Sequence, residues 1–441
     1  MKVCLVFPRM KYVSGDPPLG LAYIASYLRQ NTNAEVHIVD ATFHPSHDWV
    51  NSELRRLQPD ILGVYVDSIM YNDAVRIMKN ARIICTPYII AGGPHATVCP
   101  ETLAPFAAVI RGEGERILAA IVTHLSENFT GIISSIVRGA VIEDLDTLPF
   151  PALDLVDLKQ YMQNWHYLEG AAPGLLGTTM ITSRGCPFDC AYCQPTLREI
   201  FGKKVRRRSP QNVVEEIDKL VRHHGVQGIF FQDDTFTYDD KWLEEFCALM
   251  VSRTVKWGCN TRADTINDSK LKLMKAAGCL SLHIGIEAHS DRIRNTIYKK
   301  RITLSAVERA VVLANYYGIQ MCGFFMLGAP TETRQEIGDT IAYSRTLGLT
   351  EASYSIFSPL PHTHMYEMMK DVYNISDDFK DYDYYASSAF QGELSFKELK
   401  RLRITALLRF YLRPCEIQYI MSHFSNRRSF RRMLNIVKRF T

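Results

Sequence analysis

The first ~130 residues alternate short apolar runs with stretches of helical spacing. Val3–Phe7, Glu35–Val39, Ile61–Val66 and Tyr88–Ala91 read as strands, the last running into Gly92-Gly93. Leu19–Arg29 places Leu21, Ile24, Ala25 and Leu28 on one helical face, and Trp49–Leu57 and Asn72–Ala81 repeat that pattern. Apolar strands alternating with helices predict an α/β domain, a doubly wound parallel sheet covered on both faces. Ligands of such sheets sit at the carboxyl ends of the strands. A second run starts near Thr178. Its predicted strands are Thr179–Thr182, Gly228–Gln232, Lys256–Thr261, Leu280–Ile286, Met321–Met326 and Ala352–Phe357. Helices are expected at Asn212–His223, Lys241–Ser252, Asp268–Ala276, Leu304–Tyr317 and Arg334–Leu347. Six strand–helix units in order predict a partial (β/α)6 barrel.

Between the two runs the pattern fails, and the acidic, Pro-containing Asp144–Pro151 reads as a linker. The expected organisation is residues 1–135 as the first domain, 136–175 as linker, 176–370 as barrel and 371–441 as a basic helical region. From Lys397 onward twelve Lys and Arg face only Glu398 and Glu416. Apolar residues such as Leu399, Leu402 and Leu407 interleave with those charges, so docked helices with a solvated face are expected. Contact with an anionic membrane surface is the other use of such a tail.

Composition narrows the class. The 441 residues are 47% hydrophobic and 22% charged, which is globular. A net charge of +4 over this length implies no general polyanion binding, and no nucleic-acid partner is expected. No apolar run reaches the ~18–20 residues of a membrane span, and the N-terminus breaks at Pro8 too early for a secretory signal. The expected compartment is the cytoplasm. Of 11 cysteines, eight are scattered in apolar segments and three are clustered. In a reducing compartment such a cluster points to metal or redox chemistry.

The cluster is Arg184-Gly185-Cys186-Pro187-Phe188-Asp189-Cys190-Ala191-Tyr192-Cys193, a C-x3-C-x2-C directly after a predicted strand. Three thiolates without a nearby fourth suit a 4Fe–4S cluster with one iron left open. A zinc knuckle missing its fourth ligand is the competing assignment.

The motif, with Tyr192 before the third Cys and on a six-unit barrel, resembles the radical S-adenosylmethionine (SAM) enzymes. Further segments agree with that family: Phe231–Phe236, Asn260–Asp264, Gly285–Ala288, Lys300–Thr303 and Gly323–Thr333. The resemblance covers about 178–365. It implies that Cys186, Cys190 and Cys193 hold the cluster, whose open iron chelates SAM. It also implies SAM contacts at Tyr192, Asp233, Arg262, Glu287 and Lys300. Asp233 or Glu287 would accept hydrogen bonds from the ammonium or ribose of SAM. Arg262 either pairs with its carboxylate or belongs to a structural ion pair. Asp234 is expected to cap the following turn. His362 stands where relatives commonly carry the Gly of Pro-Gly-Thr.

Asp16–Ala25, Pro59–Val64, Ala91–Thr97 and Arg111–Glu115 resemble the cobalamin-binding domain that precedes one radical SAM class. Pro18, Gly20, Ser68, Gly92 and Gly93 are the implied cobalamin contacts. The loop that would supply a lower-axial His is replaced by Phe7–Tyr12, and Tyr65 and Asp67 stand where relatives carry small residues. The implied function is methylation of an unactivated carbon of a small or lipid-like metabolite, through a 5′-deoxyadenosyl radical and methylcobalamin. Non-methylating chemistry on the same barrel (cyclisation, dehydration, epimerisation or rearrangement) is the alternative. The implied reductant is a flavodoxin or ferredoxin.

Overall fold

The computed structural model describes residues 1–44, 46–127 and 135–413. The chain divides into two compact units, one made of Met1–Tyr161 with Pro195–Arg206, the other of Met162–Gln194 with the chain from Arg207 onward. Cys415 and the basic residues expected beyond Arg413 lie outside the described residues.

The first unit carries strands β1 (Lys2–Phe7), β2 (Glu35–Asp40), β3 (Ile61–Tyr65), β4 (Tyr88–Gly92), β5 (Ala108–Arg111) and β6 (Ile136–Arg138). All pair in parallel, in the order β2-β1-β3-β4-β5-β6. The order reverses between β1 and β3, which makes the crevice at their carboxyl ends the expected ligand position. Val3 and Leu5 on one face, and Cys4 and Val6 on the other, belong to two separate cores, as expected of a sheet buried on both sides. Two strands escaped the sequence pattern. β5 is four residues long, too short for periodicity to register. β6 falls in the stretch expected as linker, yet it pairs with β5, so the boundary at 135 is corrected.

The second unit holds β7 (Gly177–Met180), β8 (Gly228–Phe231), β9 (Lys256–Thr261), β10 (Cys279–Glu287), β11 (Gln320–Leu327) and β12 (Glu351–Ile356). They form an open parallel sheet in strict sequence order, with β7 and β12 at its edges. This is the half-barrel that the six repeated units imply. Phe231, Phe236, Phe246 and Trp257 fill the helix-covered face, with ring centroids 4.6–5.8 Å apart.

Residues 162–175, expected as linker, instead plug the other face. Trp165 and Leu168 are 1% exposed and pack with Phe230. The sheet makes room with glycines. A Cβ on Gly177 would enter the Trp165 ring, one on Gly228 would lie 2.8 Å from it, and one on Gly258 would lie 2.8 Å from Leu168. An aromatic plug over a row of glycines has no short-range period, so the sequence pattern does not show it.

The helix Phe396–Tyr411 starts at a capping box of Ser395 and Glu398. It docks through buried Leu399, Ala406, Leu407 and Phe410. Arg403 was expected on a solvated face. It is 1% exposed and donates from Nε to the Tyr354 carbonyl of β12 at 2.8 Å.

Candidate functional site

The three-cysteine loop leaves the carboxyl end of β7. Asp233, just past β8, fixes its start. The Asp233 carboxylate accepts from the Thr182 backbone N–H (3.1 Å), from Thr182 Oγ1 (2.7 Å) and from the Ser183 hydroxyl. Asp233 is 1% exposed, so it anchors the loop and does not face a ligand. Its neighbour Asp234 is surrounded by protein on most sides but keeps an accessible edge, and it acts electrostatically on Cys186 and Cys193. Burial and Asp233 push Asp234 up to about 6. The expected cap role goes to Asp239, which accepts from Trp242 N at 3.1 Å.

Cys190 is buried, while Cys186 and Cys193 are partly exposed. Three cysteines with no fourth ligand nearby in the sequence favour a cluster with one open iron over a closed zinc site. Burial, with the negative charge of neighbouring Cys and Asp234, pushes the Cys193 thiol well up. Metal binding is therefore what makes thiolates here.

Tyr192 lies between the second and third cysteines, edge-on to Tyr298 at 5.4 Å. Its hydroxyl donates to Glu287 Oε1 at 2.9 Å, and Lys300 Nζ donates to the same oxygen at 2.7 Å. Oε1 is thus taken, while no described residue bonds Oε2. The backbone is arranged for this group. The β10–β11 register shifts between Gly285 and Glu287, and Glu287 has φ +69°, a costly value for a residue with a Cβ. Gly285 has no side chain because the Glu287 carboxylate and Lys300 ammonium lie over it.

Arg262 follows β9 and is 5% exposed. Nε and Nη2 clamp Asp264 at 2.9 and 2.8 Å, and Nη2 also donates to the Lys300 carbonyl at 3.0 Å. Nη1 donates to Cys190 Sγ at 3.7 Å, and the guanidinium stacks 3.7 Å over Phe188 of the loop. Four of its five N–H groups are engaged. In this arrangement the buried Arg262 is a member of an ion pair with Asp264.

Below this rim the face of the half-barrel that residues 162–175 pack against is neutral. Asn260 donates to Gln232 (2.9 Å), and Gln232 to the Tyr167 hydroxyl (2.7 Å). His283 packs 4.5 Å from Phe230 and 5.6 Å from Phe324. It is 6% exposed; the Tyr167 backbone approaches the ring, but neither nitrogen has hydrogen-bonding geometry. Burial pushes it down to about 3, so it is neutral. Phe324 is 36% exposed in the middle of a parallel strand, where both faces are ordinarily covered. Asn260 and His283 were not singled out by the sequence, since nothing in a lone Asn or His marks it as chamber-facing. His362 is exposed, has φ +59° and lies 3.7 Å from Glu367, which explains the Gly of relatives at this position.

In the first unit the implied cobalamin residues gather at the switch point. Pro18 and Gly20 open the helix Leu19–Asn31 after β1, Ser68 follows β3, and Gly92-Gly93 end β4. A Cβ on Gly20 or on Gly92 would meet nothing within 4 Å, leaving space for a bulky ligand. Gly93 has a different reason: with φ +115°, its Cβ would lie 2.8 Å from the Val66 carbonyl. The Ser68 hydroxyl bonds His95 Nδ1 at 2.9 Å, and His95 Nε2 reaches Thr102 at 3.0 Å. Tyr65 packs on Phe7 at 5.2 Å, and Asp67 caps the turn at Ser68–Met70.

The sequence matches the model of the Radical SAM superfamily over residues 180–343 and that of the B12 binding domain over residues 12–122. It is 31% identical to an uncharacterized methyltransferase of Pyrococcus horikoshii, over 94% of this chain and 93% of that protein. It is 28% identical to the anaerobic magnesium-protoporphyrin IX monomethyl ester cyclase of Cereibacter sphaeroides, over 94% of this chain and 71% of that one. The fold is that of the radical SAM methyltransferase TsrM from Kitasatospora setae with cobalamin and a [4Fe-4S] cluster bound (TM-score 0.68, 18% identity, 91% and 81% coverage). The chain belongs to the radical SAM superfamily, with a B12-binding domain ahead of its barrel, and is an enzyme whose cofactors are a 4Fe–4S cluster, SAM and cobalamin.

Proposed function

We propose that this enzyme methylates an unactivated carbon of a small or lipid-like metabolite. The observation that carries the reading is that one chain holds both parts of the chemistry: a C-x3-C-x2-C loop at the carboxyl end of β7, and a switch-point crevice open over Gly20 and Gly92. When bound, the cluster with SAM supplies a radical that removes a hydrogen atom, and cobalamin supplies the methyl group.

The chain's own residues bind and orient. Asp234 pairs with the SAM ammonium, and Glu287 Oε2 accepts from a ribose hydroxyl, while Lys300 and Tyr192 hold that carboxylate in place. Phe324 offers the substrate an apolar surface, and Asn260 offers an uncharged polar group. Burying a charge against that neutral face is unfavourable, so the substrate enters with an apolar or uncharged end. A flavodoxin- or ferredoxin-type reductant supplies the electron. Exposed Lys397, Arg401 and Arg409 on the C-terminal helix suit an anionic membrane surface, which fits a lipid-like substrate.

The test is anaerobic reconstitution with iron, sulfide and hydroxocobalamin, followed by methyl-labelled SAM and dithionite. About one corrinoid per chain, with label recovered in the extracted corrinoid, is expected. Cys186→Ala, Cys190→Ala and Cys193→Ala should each abolish 5′-deoxyadenosine formation. Similarity to the cyclase supports a second reading, non-methylating radical chemistry. Under it 5′-deoxyadenosine forms and no label reaches the corrinoid.

A further inference from the structure

The side chains around the three cysteines are not evenly charged. Two buried cations, Arg262 and Lys300, act on them. Arg262 donates to Cys190 Sγ at 3.7 Å, and Lys300, 7% exposed, acts on both Cys190 and Cys193. The opposing charge is Asp234, which acts electrostatically on Cys186 and Cys193. Both cations are held rigidly. Arg262 is clamped by Asp264 and the Lys300 carbonyl and stacked on Phe188, and Lys300 is paired with Glu287 at 2.7 Å. Lys300 is balanced by the equally buried Glu287, while Arg262 is only partly balanced. Asp264 is more exposed than Arg262 (31% against 6% for the side chains), so water screens the acid more than the base.

We propose that Arg262 and Lys300 are positioning residues for electron entry: they raise the reduction potential of the cluster held by Cys186, Cys190 and Cys193, while Asp234 lowers it. The proposal rests on the cluster reading above. Reduction adds one electron and no proton, so the cluster and its thiolates gain one negative charge. A fixed cation beside the sulfurs, and an N–H directed at one of them, stabilise that added charge. A neighbouring carboxylate opposes it. The electron comes from a low-potential one-electron donor, dithionite in the assay. The geometry thus assigns Arg262 to the cluster and Asp234 to a dual position, where its charge is neutralised once an ammonium group binds. SAM binding would then make the cluster easier to reduce.

The experiment is an EPR-monitored redox titration of reconstituted full-length enzyme, without and with SAM. Arg262→Gln is expected to lower the reduced-to-oxidised ratio at fixed ambient potential about tenfold, a shift of about 59 mV for one electron. Arg262→Lys, which keeps the charge and loses the fork, should shift it by less. Lys300→Met should move it down as well. Asp234→Asn should move it up, and should remove most of the rise that SAM causes in the wild type. Opposite signs from two variants at one site are not produced by general loosening of the loop. An unchanged potential in Arg262→Gln, with weakened SAM binding, overturns the proposal and returns Arg262 to the SAM carboxylate. Equal downward shifts in all variants also overturn it, as a loss of structure. Failure of the cluster reading has a separate signature: no EPR-active cluster in the wild type, or iron retained without the cysteines.

Discussion

Glu332 shows how one buried carboxyl responds to its surroundings. It is 1% exposed in the loop after β11. Oε2 accepts from the backbone N–H groups of Gly328 (2.6 Å) and Ala329 (3.0 Å), while Oε1 has no hydrogen-bond partner. Burial outweighs those two donors and pushes its pKa up to about 7, from 4.5. The fold therefore favours the neutral acid. Between about pH 4.5 and pH 7 the unfolded chain loses this proton and the folded chain keeps it, so this residue's contribution to stability falls as pH rises and stays low above pH 7. The full difference is on the order of 3 kcal/mol. Glu332→Gln keeps an acceptor for both N–H groups and removes the titration. Urea unfolding from pH 5 to pH 8 should show a flatter profile and a higher midpoint at pH 8 for the variant. The same attention to individual atoms separates Asp233 from Asp234. Both were legible as a pair; which of them faces the ligand follows from the Thr182 and Ser183 bonds, which involve another strand end.

At the scale of elements, the repeating strand–helix pattern gave every strand of the half-barrel to within a few residues, because period and apolarity are local properties. The plug was not legible. Trp165 and Leu168 look like loop residues until the glycines of β7, β8 and β9 are set beneath them. Trp165→Ala should cost about 3–5 kcal/mol, as removal of a buried aromatic ring does. Gly228→Ala should cost about 1–3 kcal/mol, because its Cβ would lie 2.8 Å from that ring. In the double variant the new methyl enters space the ring has left, so the cost should be less than the sum. Denaturant midpoints of the four proteins test this; additive costs would mean that the plug and β8 do not bear on each other.

At the scale of the molecule, each unit places its chemistry at the carboxyl ends of parallel strands, and the open glycines of the first unit can be tested apart from the barrel. Gly20 lies in the first turn of a helix with nothing within 4 Å of a new Cβ. Gly20→Ala should leave stability unchanged or raise it by up to ~1 kcal/mol. Gly20→Leu and Gly92→Val should fold normally and retain at least tenfold less corrinoid after desalting. Normal corrinoid in both would show that the ligand does not approach those glycines.

Periodicity and short-range spacing were enough to read the two α/β halves and the three-thiol loop, while the switch point needed the strand order. Periodicity and spacing within a few residues both survive in a linear string. Tertiary structure alone decided that Arg262 belongs to Cys190 and Asp264, that Glu287 is shared by Tyr192 and Lys300, that Asp233 holds the loop, and that residues 162–175 fill the half-barrel. Each of these depends on distances between residues far apart in the chain, and a pattern of residue types fixes which groups are present without fixing which of them meet.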